Sequence, residues 1–229
     1  MIAPPRPETG MSEDETLDSL RLRLAPLVAA NAAFDGWSKD AVAMAADDAG
    51  VDRDVAALAF DGGAMAMIDA WFASVDVAML TRFPPDALAT MKIRERITAL
   101  VEARLAILAP HREALRRAQA ILAMPRYASR AAQLGWRAAD IIWRAAGDAA
   151  VDYNHYTKRA TLGAVYAATQ FVFVNDESED HAETRAFLAR RIEGIMNFEK
   201  AKARFTGNSD QHFSIPRFLG RLRYRAANR

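Results

Sequence analysis

Apolar residues recur along this chain at helical spacing almost from end to end, and no segment shows the alternation of a half-buried strand. Ser12 and Glu15 make a capping box that predicts the start of a first helix. Leu17, Leu20, Leu24, Leu27 and Val28 mark its buried face, which runs to about Asn31. Ser38 opens a short second helix with Val42, Ala45 and Ala46 inward, and Gly50 ends it. Asp52 opens a third that reaches Phe60. After the Gly62-Gly63 break a longer helix through Leu80 carries Met67, Ile68, Trp71 and Phe72.

Pro84-Pro85 is the clearest linker. Beyond it the spacing predicts helices over 87–108, 110–123, 128–147, 152–174 and 179–204, with Pro110 and Pro125 at two of the joints. Residues 160–174 are apolar nearly all round, relieved by Thr161, Thr169 and Gln170, as in a helix with neighbours on every side. The expected fold class is all-α. Its expected divisions are a helix-turn-helix-like module over 13–83, a helical bundle over 86–205, and a flexible joint with an amphipathic helix over 206–229.

Composition narrows the chemistry. The 229 residues are 52% hydrophobic, enough for a sizeable core, and contain no cysteine. Disulfides, zinc–thiolate sites and cysteine nucleophiles are therefore excluded. The net charge of +1 hides a polar chain: residues 34–86 carry −7 and residues 199–229 carry +6. The first dozen residues read as neither a secretory signal nor an Arg-rich transit peptide, and no run reaches about 18 apolar residues. With the alanine and arginine bias, the expectation is a bacterial cytoplasmic protein.

The stretch from Gly36 to Phe60, with Val42, Ala45-Ala46, Ala49-Gly50-Val51 and Phe60, resembles the N-terminal module of TetR regulators. Small residues at its turn let two helices cross closely. Its chemistry argues against DNA. A recognition helix needs cations for phosphates and polar groups for base edges. This one begins Asp52-Arg53-Asp54 and continues Val55-Ala56-Ala57-Leu58-Ala59-Phe60. The helix-turn-helix reads as degenerate, and no nucleic-acid partner is expected.

The second half carries Asp148, then Val151-Asp152-Tyr153-Asn154-His155-Tyr156-Thr157-Lys158-Arg159-Ala160, Ala164-Val165-Tyr166, Asn175-Asp176-Glu177-Ser178 and Ala186-Phe187-Leu188-Ala189-Arg190-Arg191-Ile192. This series, in this order, resembles the COQ nine family of ubiquinone biosynthesis from about Leu17 to Ala203. Its most specific part is residues 152–159. The resemblance implies a TetR-like fold that binds isoprenoid lipid and serves the di-iron hydroxylase acting on demethoxyubiquinone. It implies a surface for that hydroxylase at Asp152, Tyr153, Asn154, His155, Tyr156, Lys158 and Arg159. His155 departs from the family, whose members often carry Trp there. Arg126-Tyr127 and Arg185 depart as well. The same residues have plainer readings: Asp152 as a helix cap, the tyrosines as ordinary aromatics at a helix start.

An isoprenoid chain needs a long apolar cavity. The candidates to line it are Met67, Trp71, Leu105, Leu108, Ile121, Leu134, Trp136, Ile142, Trp143, Leu162, Val165, Tyr166, Thr169, Phe173 and Phe187, each of which is equally a core residue. The tail supplies a membrane candidate. Ile215, Phe218, Leu219, Leu222 and Ala226 fall on one stripe, with Arg217, Arg221, Arg223 and Arg225 around it, a pattern suited to an anionic interface. Packing back on the bundle or docking on another subunit are its alternatives.

Asp152 and His155 lack a third metal ligand, and His111, His181 and His212 form no ligand spacing with them. The acidic run Asp176, Glu177, Glu179, Asp180 and Glu183 reads as a solvated helix start. No metal or cofactor is expected, and no nucleophile–base set or phosphate loop is visible. The expected function is a non-catalytic accessory protein, homodimeric and peripheral on the inner membrane. It would take isoprenoid quinone precursors from the membrane and present them to the hydroxylase. The rivals are a ligand-responsive TetR-type repressor and an enzyme on a prenylated ring with Asp152 and His155 as acid and base.

Overall fold

The computed structural model describes residues 15–148 and 153–206, and these are helical throughout, with no strand among the described residues. The chain divides into two compact units, Met1–Ala189 and Arg190–Arg229. The first unit contains α1 (Leu17–Asp35), α2 (Lys39–Asp48), α3 (Arg53–Ala59), α4 (Gly63–Arg82), the single turn α5 (Pro85–Leu88), α6 (Ile93–Leu108), α7 (Arg112–Leu122), α8 (Ala128–Ala145) and α9 (Tyr153–Asn175). The last helix, α10 (Ala182–Thr206), begins in the first unit and supplies the described part of the second.

Caps set the N-terminal boundaries. The first helix starts later than the Ser12 box predicts: Thr16 is its cap, and the Thr16 hydroxyl accepts from Ser19 N at 3.2 Å. Glu15 is instead held by both nitrogens of the Arg23 fork, at 2.9 and 2.7 Å. Ser38 and Asp52 cap α2 and α3 as expected. Pro26 lies inside α1, which runs on to Asp35. Proline costs a helix one N–H, but Pro26 and Leu22, whose carbonyl loses its partner, both sit on the exposed face where water replaces the bond.

Packing is continuous across Pro84-Pro85. Helix α4 packs against α1 on one side and α6 and α8 on the other, while α1 also meets α7. Trp37 sits at that junction: its indole donates to Ala114 O at 3.1 Å and its ring lies 5.3 Å from that of Trp71. Helix α4 has the length and mean hydropathy (1.4) of a membrane span. Met67, Ile68, Trp71, Val75 and Met79 of that helix are buried in the protein interior.

Helices α8 and α9 approach closely where Gly163 faces the Gly135 carbonyl. A Cβ at Gly163 would lie 3.1 Å from Gly135 O, so a larger residue there would push the helices apart. The α9–α10 turn departs from the solvated helix start that its charges imply. Glu177, Glu179, Asp180 and Glu183 are exposed, but Asp176 is 2% exposed. One Asp176 oxygen accepts from Ser178 N and Oγ (2.9 and 2.5 Å), the other from Thr184 N and Oγ1 (2.8 and 2.5 Å). These bonds brace a turn in which Asp180 and His181 hold left-handed φ values of 51° and 56°, which cost non-glycine residues about 1–2 kcal/mol each.

Burial alone would raise the Asp176 pKa, but the Ser178 and Thr184 donors outweigh it and hold the carboxyl well below the usual carboxylate range. A depressed folded-state value means stability that is present above the unfolded carboxylate pKa and lost as pH falls below about 4. Replacing Asp176 with Asn should lower stability at pH 7 by about 2 kcal/mol. It should also flatten the loss of stability below about pH 4. Urea unfolding across pH 2.5–7 checks both, and an unchanged acid limb would remove Asp176 from this role.

Candidate functional site

A cavity of about 190 Å³ opens among α4, α6, α7, α8 and α9. Its walls are apolar: Phe72, Leu122, Ala123, Ala131, Leu134, Ala138, Ala167 and Phe171. Phe171 is 55% exposed, and with Ala123 and Ala167 it marks the side that faces solvent. The floor is polar. Asp76, Arg104, Gln119, Tyr166 and Gln170 border the cavity, and all five are buried.

That floor is one connected group. Arg104 NH1 donates to Asp76 Oδ1, and Arg104 Nε donates to Tyr166 Oη at 3.0 Å. Arg137 reaches the other Asp76 oxygen at 3.5 Å and also donates to Asp69. Arg104 is 1% exposed and Asp76 5%, so neither charge is tolerable without the other. For Arg104, burial acts against the charge, but Tyr166 and Asp76 outweigh it and raise the pKa. For Tyr166, burial dominates and raises the pKa, so the phenol stays neutral. Gln119 is the exception: its Nε2 is buried without a hydrogen-bond partner.

Of the residues expected to line a long apolar cavity, Leu134 and Tyr166 border this one. Met67, Trp71, Leu105, Leu108, Ile142, Trp143, Leu162, Thr169 and Phe173 are buried core away from it, and Val165 is half-buried. Apolarity alone does not separate lining from core, because both face inward. The better signal was polar residues within apolar helices, such as Asp76 in α4 and Gln170 in α9.

The start of α9 forms a second feature. Asp152 lies outside the described residues, and Tyr153 and Asn154 open the helix. Tyr156 is 61% exposed. Trp136 of α8 is no interior residue: it is 36% exposed, with its ring 6.0 Å from Tyr156 and 6.3 Å from His155. His155 and Tyr156 stand edge to face at 5.2 Å. An aromatic patch thus faces outward from two helices. Arg159 lies beneath it, 2% exposed, with Nε on Asp140 at 2.6 Å and NH1 on Asp148 at 3.2 Å. Lys158 bonds the other Asp148 oxygen at 2.8 Å, and the Trp143 indole donates to Lys158 O at 3.1 Å. Burial alone would raise the Asp148 pKa, but Lys158 and Arg159 together lower it. Lys158 and Arg159 therefore pin α9 to α8 under the aromatic surface. The residues Ile215, Arg217, Phe218, Leu219, Arg221, Leu222 and Arg225 lie outside the described residues.

The helix-turn-helix region keeps its geometry with unusual charge. Arg53, the cation of α3, is held by both oxygens of Asp47 at 2.8 and 2.5 Å. The outward positions Asp54, Ala57 and Leu58 offer a carboxylate, a methyl and an isobutyl group.

This architecture is that of a TetR-like helical protein. The structure aligns with a TetR transcriptional regulator from Nitrosomonas europaea with a TM-score of 0.60 and 26% identity, covering 76% of this chain and 96% of that one. Within that class the chain is similar to COQ9 proteins: residues 128–199, which span the aromatic patch and α9, match the COQ9 family model. It is 28% identical over 207 residues to the mitochondrial ubiquinone biosynthesis protein COQ9 of Homo sapiens, covering 85% of this chain and 64% of that protein. The match to the Rattus norvegicus protein is 39% over 97 residues (42% of this chain, 31% of that one), and to the Xenopus tropicalis protein 30% over 169 residues (70% and 53%). The chain thus spans less than two thirds of the length of these relatives.

Removing one member of a buried charge pair strands the other, at a cost of about 3–5 kcal/mol. Asp76→Asn and Arg104→Met should each lower unfolding stability by that amount. The double variant should recover part of the loss, because two apolar or neutral groups leave no stranded charge. Urea denaturation of the three variants measures it; strictly additive losses would contradict the pairing.

Proposed function

We propose that this protein is a non-catalytic lipid-handling accessory of ubiquinone biosynthesis, which takes up an isoprenoid quinone precursor and presents it to a di-iron hydroxylase. The observation that carries this reading is the apolar-walled, polar-floored cavity in a chain similar to COQ9 proteins along 85% of its length. Neither COQ9 proteins nor TetR regulators are enzyme families. The relatives are named as mitochondrial and serve a pathway whose intermediates are membrane lipids, which supports attachment to a membrane surface, with the 215–225 stripe as the attachment.

The aromatic patch suits the partner contact. Trp and Tyr supply the anchors at which binding energy concentrates. Trp136 offers an indole beside His155. A homodimer is the proposed assembly. The likeness to a TetR regulator keeps DNA binding as the second reading. The Arg53–Asp47 pair and exposed Asp54 weigh against it, since they present a phosphate backbone with no free cation on α3.

Native mass spectrometry of the purified protein, followed by solvent extraction, should recover a prenylated ring compound. Recovery of the protein without lipid from a membrane-containing lysate would count against carriage. Trp136→Ala and Tyr156→Ala should each weaken co-purification of the hydroxylase at least about tenfold, as for interface anchors, without changing the thermal midpoint. Undiminished co-purification by both would remove the patch from the contact.

A further inference from the structure

Helix α3 is held firmly and turns one face to solvent. The Asp52 carboxylate accepts from Asp54 N and Val55 N at 2.8 and 3.1 Å, and Arg21 Nε donates to Ala59 O at 2.6 Å. Ala56, Ala59 and Phe60 are buried beneath. The outward positions Asp54, Ala57 and Leu58 are three and four residues apart, so they share that face, and all three are exposed. Leu58 is 58% exposed, and Met44 of α2 is 47% exposed. Water gains nothing from an isobutyl group on a rigid helix, but a partner that covers it gains an anchor.

Charge decides what can cover this face. Residues 35–61 carry seven aspartates, all exposed, against Lys39 and Arg53, and Arg53 is held by both oxygens of Asp47. Nucleic acid and an anionic membrane would both meet like charge. A second copy docking through the same patch would set these carboxylates against their own duplicates. No three or more His, Cys, Asp or Glu side chains among the described residues are grouped so as to hold a metal ion. A basic protein surface is what complements both the carboxylates and the leucine.

We infer that the outward face of α3 is a docking surface for a basic amphipathic helix of a partner protein. The partner's apolar stripe covers Leu58 and Ala57, and its Lys and Arg side chains meet Asp54 and the neighbouring carboxylates. The aspartates then set the rate of encounter, and Leu58 sets the lifetime of the complex. This surface shares no residue with the cavity or with the aromatic patch, so it adds a second contact to the lipid-handling reading and does not rest on it.

The test is surface plasmon resonance on the immobilised full-length protein. The probes are a synthetic helical peptide with leucines along one face and arginines on the other, and a scrambled peptide of the same composition. Three variants accompany them: Leu58→Ser, the pair Asp54→Asn and Asp61→Asn, and the control pair Glu177→Gln and Glu179→Gln, which removes the same charge from exposed positions elsewhere. All the substituted side chains are exposed, so each variant should keep the native thermal midpoint. The expected result is that the native protein prefers the ordered peptide to the scrambled one by about tenfold or more. Leu58→Ser should speed dissociation about tenfold. The Asp54 and Asp61 pair should slow association and flatten its salt dependence, and the control pair should change neither. Equal binding of the two peptides, an undetectable ordered peptide, or face variants that behave like the control pair would overturn the surface. A random-sequence DNA duplex that responds to the face variants where the peptide does not would overturn it as well.

Discussion

The buried pairing of Arg104 with Asp76 governs the rest of this molecule. It joins α6 to α4 at a depth where an unpaired charge would be severely unfavourable, and through Tyr166 it joins both to α9. Arg137 brings α8 to the same carboxylate. Four helices therefore meet around one polar group. The cavity is the space that remains beside it. Fixed charges with few alternative partners also explain why that space is not lost by collapse: closing it would require the helices to move relative to bonds that already hold them.

The same logic, with a different outcome, operates at the start of α9. Arg159 is as buried as Arg104, and both Asp140 and Asp148 lie against it. There the buried ions serve as a clamp, and the aromatic rings of Trp136, His155 and Tyr156 are displayed above it. One pair of helices, α8 and α9, thus contributes both to the cavity and to the surface patch. A ligand in the first and a partner at the second would act on the same two helices, whose close approach at Gly135 and Gly163 leaves little freedom for them to move apart.

The all-helical fold was legible because period and punctuation agree: Ser38, Asp52, Gly50 and Pro125 mark ends that the structure keeps. The Thr16 cap was missed because Ser12-x-x-Glu15 offered a better-known motif a few residues earlier, and Glu15 had a competing partner in Arg23. The family resemblance was legible at 152–159 and in the α9 sequence. The site was less so. Burial gives lining and core residues the same hydrophobic signature, so Met67 and Ile142 read no differently from Leu134. Trp136 falls on an inward-looking stripe by spacing, yet it surfaces beside Tyr156. Asp176 shows the converse: a carboxylate among carboxylates is buried because Ser178 and Thr184 satisfy it, a fact that charge counting hides.

The central claim is that the cavity beside the Arg104–Asp76 pair is where the lipid is held. A crystal structure of the protein with its co-purified lipid tests this most directly. The account predicts lipid density inside the cavity among α4, α6, α7, α8 and α9. An empty cavity, with lipid bound only elsewhere on the protein, would contradict it.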